Sequence, residues 1–245
     1  MESNTIKKVT DAYLLHCPYS EGRRKAIARK PRIFTLSDCK SSSLMENYPD
    51  LDKIIIWSEF AAQLAPLIKP LILFSYSLKD FVRLNVLDKI ICLKCAFFEI
   101  WLVHVSQLVN SADGAITFCN GYCMSRKQLA NIYDTEFVDR LLNFCGCIND
   151  LQLSDTVIAL YSLVILHNPD QQGLHSPIAV AHVHAKFLRL LKYQLTNYNF
   201  ALDIHQWSKV PPKMRENFHS LQVELLDEAL ADHVFLNVET RWLTL

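Results

Sequence analysis

Hydrophobic and polar positions along most of the chain follow the period of amphipathic helices. Between Asp52 and Ser77 the apolar residues recur every three or four positions, which places them on one helical face. These apolar residues are Ile56, Phe60, Leu64, Leu67, Ile68, Leu71 and Phe74. Pro66 and Pro70 lie inside the same segment, and each removes an amide donor. The pattern therefore predicts one long helix with kinks.

The following segment, residues 74–105, is apolar around nearly the whole helical circumference from Val86 onward. It also carries Lys94 and Glu99 in its second half. Because a membrane span excludes ionisable groups from its centre, this segment is not typical of one. The pattern predicts a helix in the middle of a protein, with other helices on both sides.

Local signals predict the remaining elements. Two short apolar runs flank Asn120 and Gly121, a dipeptide that strongly favours a β-hairpin, and we expect this hairpin to be the only sheet. Further helices are predicted at residues 10–17, 125–130, 135–148, 156–167, 177–197 and 209–234. The chain is therefore expected to be all-α with one small β-hairpin.

Composition narrows the classes of protein that fit this pattern. The 245 residues contain 51% hydrophobic residues, which suits one large domain, and no linker-like stretch divides them. We therefore expect the helix and basic segment of residues 1–34 to belong to one domain with residues 35–245. Lys plus Arg (25) balance Asp plus Glu (25), so no overall field attracts nucleic acid or an anionic membrane. The basic run between Arg23 and Arg32 is interpreted as a solvated face.

Cysteine usage and motif content point away from secreted proteins and enzymes. The eight cysteines are irregularly spaced and follow no secretory segment, so we expect free thiols in a reducing compartment. Cys92 and Cys95 have metal-binding spacing, but they lie in the buried helix without a second pair, which favours two core thiols. The sequence contains no G-x-S-x-G, H-E-x-x-H or Gly-rich phosphate loop. We therefore expect no enzymatic activity.

Three motifs in residues 74–102 carry a resemblance to a known family. F-S-Y-S-L-K-D-F is followed by L-x-x-x-D-K-I-x-x-L-K and then by F-F-E-I-W-L. This order resembles the core motif of the nuclear-receptor ligand-binding domain. The resemblance implies a three-layer antiparallel helical sandwich, a ligand-sensing transcriptional regulator and a nuclear location. It also implies DNA contact only through a separate domain, and we expect no DNA-binding domain within this sequence.

Other segments narrow the resemblance to one branch of that family. I-W-S-E-F at residues 56–60, with Pro66 and Lys69 after it, is similar to the third helix of the Rev-erb branch and its insect ecdysone-response relatives. L-Q-L-S-D at residues 151–155 is similar to the same branch. D-A-Y-L-L-H-C-P-Y at residues 11–19 resembles the retinoid-related orphan receptors, the next nearest branch. The resemblance covers residues 11–230.

The resemblance implies haem as a cofactor, bound by a thiolate ahead of the third family helix and a histidine in the eleventh. Cys39 and His219 match these positions and would bind the haem iron as a Cys/His pair. Cys17 is the alternative thiol. His219 lies two positions short of the family spacing, which is about half a helical turn, so Leu221 competes for the ligand position. A structural histidine is the competing interpretation of His219.

The resemblance also implies a buried ionic network. The family has D-R-x-G where this chain has the turn at residues 168–174, and Gln171 stands at the arginine position. Glu99 matches the glutamate that pairs with that arginine. An unpaired buried carboxylate is costly, so Glu99 needs another cation, and Arg189 is the candidate.

A co-regulator groove is the third feature that the resemblance implies. The family clamps an L-x-x-L-L helix between a lysine and a glutamate of the last helix, but Tyr76 stands at the lysine position and residues 234–245 lack the activation-helix pattern. The predicted groove residues are Lys69, Leu73, Tyr76, Leu87, Ile91 and Lys94. We expect corepressor-type L-x-x-x-I-x-x-x-I/L helices or other amphipathic helices as partners. Homodimers or heterodimers through the last long helix are also implied.

Two alternatives compete with a ligand-sensing domain. Bulky side chains could fill the pocket and leave a ligand-independent dimerisation and corepressor-binding module; they are Phe97, Phe98, Trp101, Phe118 and Phe144. A helical enzyme that uses its histidines is the alternative from a different class, and the missing motifs argue against it.

Overall fold

A computed structural model of the chain describes residues 2–28, 32–33, 51–109 and 114–196. The prediction of an all-α fold with a small hairpin is confirmed. In chain order the helices are α1 Glu2–His16, α2 Glu21–Ala28, α3 Leu51–Leu64, α4 Ile68–Tyr76, α5 Lys79–Val82, α6 Val86–Ser106, α7 Arg126–Ile132, α8 Thr135–Asp150, α9 Asp155–Leu166 and α10 Pro177–Thr196. The strands are β1 Arg32–Ile33, β2 Ala115–Thr117 and β3 Tyr122–Ser125. The helix predicted at residues 209–234 lies outside the described residues.

The long helix predicted between Asp52 and Ser77 is divided into two. A short 3-10 turn, Ala65–Leu67, separates α3 from α4, and Pro66 is its central residue. Pro70 causes no second break because it is the third residue of α4. The first turn of a helix has no acceptors for its amides, so a missing N–H costs little there.

The first helix is longer than the sequence predicted. It begins at Glu2 rather than Thr10, and its buried residues Ile6, Val9 and Tyr13 lie along one face. Most other positions of α1 are polar, and several of them are exposed. A stripe of only three buried side chains gives a weak periodic signal, which explains the difference.

The hairpin forms around the predicted turn, and a third strand joins it. β2 and β3 pair antiparallel, with Ile116 opposite Met124. Gly121 adopts a φ of 86°, a left-handed conformation that favours glycine. The two-residue β1 pairs parallel with β3, so the sheet has the order β1-β3-β2 and is larger than the hairpin expected as the only sheet.

The described residues belong to two compact units. The first unit comprises residues 2–16, 68–100 and 159–196. Within it, Tyr13 of α1 packs edge-on against Phe74 of α4, with ring centroids 5.8 Å apart. The His167 ring lies between Phe81 and Phe187, at centroid distances of 5.8 Å and 5.4 Å. Aromatic contacts therefore join α1 to α4, and α5 to α10.

The second unit comprises residues 17–28, 32–33, 51–67, 101–109 and 114–158. Its connections are reinforced by caps. Ser125 and Gln128 form a capping box at the start of α7, and the Asp134 side chain accepts the Phe137 N–H at the start of α8. Arg24 is not simply part of a solvated face, because its Nη1 lies 3.2 Å from Asp155 Oδ1 and both side chains are 12% exposed.

Among the described residues, the stretch Lys53–Tyr76 is long and apolar enough to cross a membrane. Core helices of globular proteins can meet the same two criteria. The stretch is divided at Ala65–Leu67 and has a buried face, and both features favour a core helix.

The described cysteines form no disulfide with one another.

Candidate functional site

The predicted groove residues on α4 lie along one stripe of the helix. Lys69, Leu73 and Tyr76 follow each other at the spacing that places side chains on a common face. Other positions of α4 are buried, namely Ile68, Leu71, Ile72, Phe74 and Ser75. Lys69 is exposed, and Leu73 and Tyr76 are partly exposed. This stripe is therefore accessible to solvent while the rest of the helix forms core.

The predicted groove residues on α6 form a second stripe. Leu87, Ile91 and Lys94 again follow the helical spacing of four and three positions. Leu87 is 50% exposed and the preceding Val86 is 51% exposed, which is unusual for large apolar side chains at a helix start. Ile91 and Lys94 are partly exposed. Both stripes thus combine accessible apolar residues with a lysine.

Tyr76 and Lys89 connect the two helices. The Lys89 Nζ lies over the Tyr76 ring, 5.6 Å from its centroid, which is within the range of a cation–π interaction. The same ring packs edge-on against Phe81 at 5.4 Å. Sequence reasoning missed Lys89, although it directly follows Asp88 in the D-K-I motif. The structure therefore places the Lys89 ammonium group beside Tyr76, the residue that the resemblance assigns to the clamp-lysine position.

The loop before α10 is fastened to α6 at two points. The Asp88 carboxylate is fully buried and accepts the main-chain N–H groups of His175 and Ser176, at 2.6 Å and 3.1 Å. Gly173, with a φ of 87°, lies against Ile91, whose Cδ1 is 3.6 Å from the point where a Cβ would stand. The predicted groove floor at Ile91 is therefore supported by this loop.

Arg189 forms an ion pair with the first helix. Its Nε lies 3.3 Å from Glu2 Oε1, and 69% of the Arg189 side chain is exposed. Arg189 thus lies on the exposed face of α10, where α1 extends back to Glu2, and its pairing with Glu99 stays a prediction. Glu99 influences Tyr161, whose pKa is raised first by burial and further by the Glu99 charge.

The second unit has a densely packed aromatic interior. Phe60 of α3 contacts Trp101 of α6 and Phe118 after β2, at centroid distances of 5.8 Å and 5.9 Å. Trp101 stacks on Phe118 at 6.3 Å. The three rings are at most 2% exposed. Tyr133 extends the cluster, 6.2 Å from Phe60, and burial raises its pKa. Trp101 and Phe118 therefore pack as core, as the filled-pocket alternative predicts for them.

A polar cluster lies one turn further along α6, around His104. The Cys17 Sγ is 3.8 Å from His104 Nδ1, and the Tyr19 ring lies 5.9 Å from the His104 ring. Burial, and secondarily the Arg24 charge, lower the pKa of His104 to about 3. Burial also raises the pKa of Tyr19, with the nearby Cys119 and Cys17 adding to the effect. The His104 imidazole and the Tyr19 phenol are therefore neutral at physiological pH.

The hairpin turn is tied to α3 by side-chain amides. Asn120 Nδ2 donates to Gln63 Oε1 at 2.6 Å, and Gln63 Nε2 donates to Glu59 Oε1 at 2.8 Å. Gln63 is 8% exposed, so the bond to Asn120 also satisfies a buried amide. The Asn-Gly dipeptide thus serves both as a turn and as an anchor. The sequence predicted only the first of these roles.

Comparison with known proteins gives a consistent set of relatives. The chain is 31% identical over 192 residues to Ecdysone-induced protein 78C of Drosophila melanogaster, which covers 78% of this chain and 22% of that protein. Nuclear hormone receptor E75 of Metapenaeus ensis is 28% identical over 62% of this chain and 26% of its own length. Nuclear receptor subfamily 1 group D member 2 of Rattus norvegicus is 26% identical over 56% of this chain and 24% of its own length. No family model matches the chain.

The chain is a homologue of the Rev-erb-type nuclear receptors. The resemblance noted in the core motif is therefore confirmed. The chain spans about a quarter of the length of these receptors, between 22% and 26%. The relatives named here are all nuclear receptors or ecdysone-induced proteins.

The Rev-erb resemblance implies a haem site, so the described residues can be searched for ligands of the haem iron. The predicted ligands Cys39 and His219 lie outside them. The alternative thiol of Cys17 is in direct contact with His104, which leaves no space for an iron porphyrin between the two side chains. Among the described residues, no group of three or more His, Cys, Asp or Glu side chains could hold a metal ion. The Cys17–His104 contact therefore does not form a Cys/His haem site, and the predicted roles of Cys39 and His219 stay predictions.

Proposed function

We propose that this chain is the repression-biased, co-regulator-binding module of a Rev-erb-type nuclear receptor. The observation that carries the proposal is Tyr76, whose ring stands at the clamp-lysine position and packs against Phe81 and Lys89. A neutral phenol cannot cap the negative end of an L-x-x-L-L helix as a lysine does, and the neighbouring Lys89 is buried, with only 7% of it exposed. Corepressor-type L-x-x-x-I-x-x-x-I/L helices, which present a longer apolar face, are therefore the preferred partners.

The aromatic interior supports a ligand-independent version of this function. Phe60, Trp101 and Phe118 contact one another at less than 6.5 Å between centroids and are almost fully buried. Protein interiors are close-packed, so space occupied by these rings is not available to a small molecule. On this proposal the module binds its partner helix without a small-molecule signal. Dimerisation through the last long helix remains part of the proposal.

Peptide binding tests the choice of partner. Fluorescence anisotropy is measured with labelled L-x-x-x-I-x-x-x-I and L-x-x-L-L peptides titrated with the purified chain. The corepressor-type peptide is expected to bind at least about tenfold more tightly, a difference of about 1.4 kcal/mol. Equal or tighter binding of the L-x-x-L-L peptide would contradict the proposed bias towards repression.

A matched pair of variants tests the surface that binds. Ile91→Asp introduces a carboxylate into the predicted groove floor and should abolish peptide binding. Ile54→Asp makes the same change at an isoleucine of α3 that is 62% exposed and outside the predicted groove. That control variant should bind the peptide like the unmodified chain. If both variants lose peptide binding, or if both keep it, the proposal that the predicted groove binds the peptide is contradicted.

Haem binding through Cys39 and His219 is the second candidate function, and the homology to haem-associated receptors by family favours it. Purified protein titrated with haemin should then develop a shifted Soret band. The shift should disappear in Cys39→Ala and in His219→Ala. An unchanged spectrum in the unmodified protein would support the ligand-independent version instead.

A further inference from the structure

A serine followed by a proline stands where α10 begins. Ser176 and Pro177 form the only serine–proline or threonine–proline pair in the 245 residues. Kinases of the proline-directed class recognise such a pair through the proline that follows the serine. Ser176 is partly exposed, and Pro177, Ile178 and Ala179 are exposed, with 76% of Ile178 accessible to solvent. The residues that such a kinase recognises therefore lie at the surface of the described chain.

The first turn of α10 is held by few bonds. Pro177 has no amide donor, and the Ser176 carbonyl accepts the N–H groups of both Ala179 and Val180, at 3.0 Å and 3.2 Å. A kinase binds its substrate in an extended conformation, so this turn must unwind around the serine. Because one carbonyl accepts both bonds, the turn can open at its end while the rest of the helix stays intact.

The Ser176 side chain lies beside a buried carboxylate. Asp88 is 0% exposed, and its two oxygens accept the main-chain N–H groups of His175 at 2.6 Å and Ser176 at 3.1 Å. Because the hydroxyl of a serine projects from the carbon next to its own amide, a phosphate on Ser176 would stand close to this carboxylate. The His175 ring, with Nδ1 3.7 Å from Asp88 Oδ1, has 54% of its side chain exposed, so solvent weakens any charge that it carries.

Two opposite electrostatic effects would act on a phosphate at this position. The N-terminal end of α10 attracts it with about half a positive charge. The Asp88 carboxylate repels it with a full negative charge, and charges interact more strongly where water is excluded. A phosphate carries about −1.5 to −2 charges at neutral pH. The repulsion therefore exceeds the attraction, and the bonds from Asp88 to the loop before α10 are weakened.

We propose that Ser176 is a phosphorylation site for a proline-directed kinase, and that its phosphate releases the loop before α10 from α6. In the transfer, Ser176 Oγ forms a bond to the γ-phosphorus of ATP and the bond from that phosphorus to the β–γ bridging oxygen breaks. ADP leaves, and the hydroxyl proton passes to the catalytic base of the kinase. The released loop carries Gly173, which lies against Ile91, so the predicted groove floor loses this support. The effect on the groove rests on the proposed function, whereas the site and the release do not.

Phosphate incorporation tests the site. The full chain and a synthetic peptide of residues 170–182 are each incubated with ATP and a recombinant mitogen-activated protein kinase, and mass spectrometry locates the modified residue. Both should carry phosphate on Ser176. Ser176→Ala should remove this phosphate, and Ser58→Ala, made at an exposed serine of α3 that no proline follows, should keep it. If only the peptide is modified, or if neither is, Ser176 of the folded chain is not such a site and the inference is overturned.

A pair of variants tests the release without a kinase. Ser176→Glu places a negative charge at the start of α10, and Ser176→Gln is its neutral match. Hydrogen exchange at the His175 amide should be at least about tenfold faster in the Glu variant than in the Gln variant. When Asp88→Asn is added to each, the two variants should exchange alike, because the repelling carboxylate is absent. Equal exchange in the two variants with Asp88 present would overturn the release, and circular dichroism confirms that each variant is folded.

The readouts separate this inference from the proposed function. Phosphate incorporation and amide exchange are measured without a partner peptide, so they decide the inference alone. The phosphorylated chain should then bind the L-x-x-x-I-x-x-x-I peptide less tightly than the unmodified chain. If the unmodified chain binds no peptide, the groove proposal fails while the phosphorylation site and the release stand. If the loop is released and peptide binding is unchanged, the effect on the groove is overturned.

Discussion

The Asp88 carboxylate accepts the main-chain N–H of His175 at 2.6 Å, across 87 positions of sequence. A second bond, to Ser176 N–H at 3.1 Å, occupies its other oxygen. Asp88 also lies in the first turn of α6, so one buried carboxylate stabilises the N-terminal ends of both α6 and α10. Fastening the loop in this way also supports Ile91 through Gly173.

Asp88→Ala is expected to destabilise the chain by about 1–3 kcal/mol, because two main-chain N–H groups lose a buried, charged acceptor. Asp88→Asn keeps one acceptor oxygen and should cost less. Urea denaturation measures the difference, and hydrogen exchange at the His175 and Ser176 amides should accelerate in both variants. Unchanged exchange in Asp88→Ala would contradict the capping role.

Tyr76→Lys is expected to lower stability while changing partner preference. The new ammonium group would stand beside that of Lys89, where repulsion replaces a cation–π contact of about 0.5–2 kcal/mol. Thermal denaturation should show a loss that shrinks at high salt. The control Tyr76→Phe keeps the ring and should lie within about 0.5 kcal/mol of the unmodified chain. The lysine variant should also bind L-x-x-L-L peptides more tightly, since it restores the family residue.

Two glycine substitutions should have opposite effects. Gly173 has a φ of 87°, so Gly173→Ala forces a left-handed conformation and should cost about 1–2 kcal/mol. Gly146 lies inside α8, and a Cβ added to it would meet no atom of another element within 4 Å. Gly146→Ala should therefore stabilise the chain by about 0.5–1 kcal/mol. The denaturation midpoint of each variant measures its effect. A shift of the same sign in both variants would contradict the predicted opposite effects on stability.

His167 should make the chain sensitive to mild acid. Burial lowers its pKa to about 4, and its Nδ1–H donates to the Leu163 carbonyl at 2.8 Å. The unfolded chain, with an ordinary histidine pKa of about 6.5, binds more protons than the folded chain between these two values. Stability from His167 is therefore complete above about pH 6.5 and is lost as the pH falls towards 4.

The variant His167→Leu removes this titration and should flatten the dependence of unfolding free energy on pH between about 4 and 6.5. His182→Leu changes an exposed histidine of α10 and serves as the control. His104, whose pKa is lowered to about 3, should leave a residual acid sensitivity in the His167 variant. An unaltered slope in His167→Leu would contradict the prediction.

Sequence patterns predicted the elements whose signals are local. The Asn120-Gly121 turn and the apolar character of α6 each follow from neighbouring residues, and the structure contains them. The two prolines between α3 and α4 show the limit of such rules. Both were expected to kink a helix, but only Pro66 does, because the effect of proline depends on where a helix begins.

Contacts between distant segments could not be derived in the same way. Lys89 over Tyr76 depends on how α4 and α6 meet, and the partner of Arg189 depends on α1 reaching Glu2. The family motif identified the positions of Tyr76 and Glu99 but not the residues that surround them in this chain. Cys39 and His219 lie outside the described residues, so their predicted roles stay predictions.

The bond from Asn120 to Gln63 has a consequence for the order of folding. It joins a turn that closes locally to a helix 57 positions away in sequence. A hairpin forms in about 1–10 μs, whereas contacts of large sequence separation must await loop closure. A substitution at Gly121 should therefore slow refolding, while Gln63→Leu should act mainly on the rate of unfolding. One turn thus carries both an early and a late event of the folding reaction.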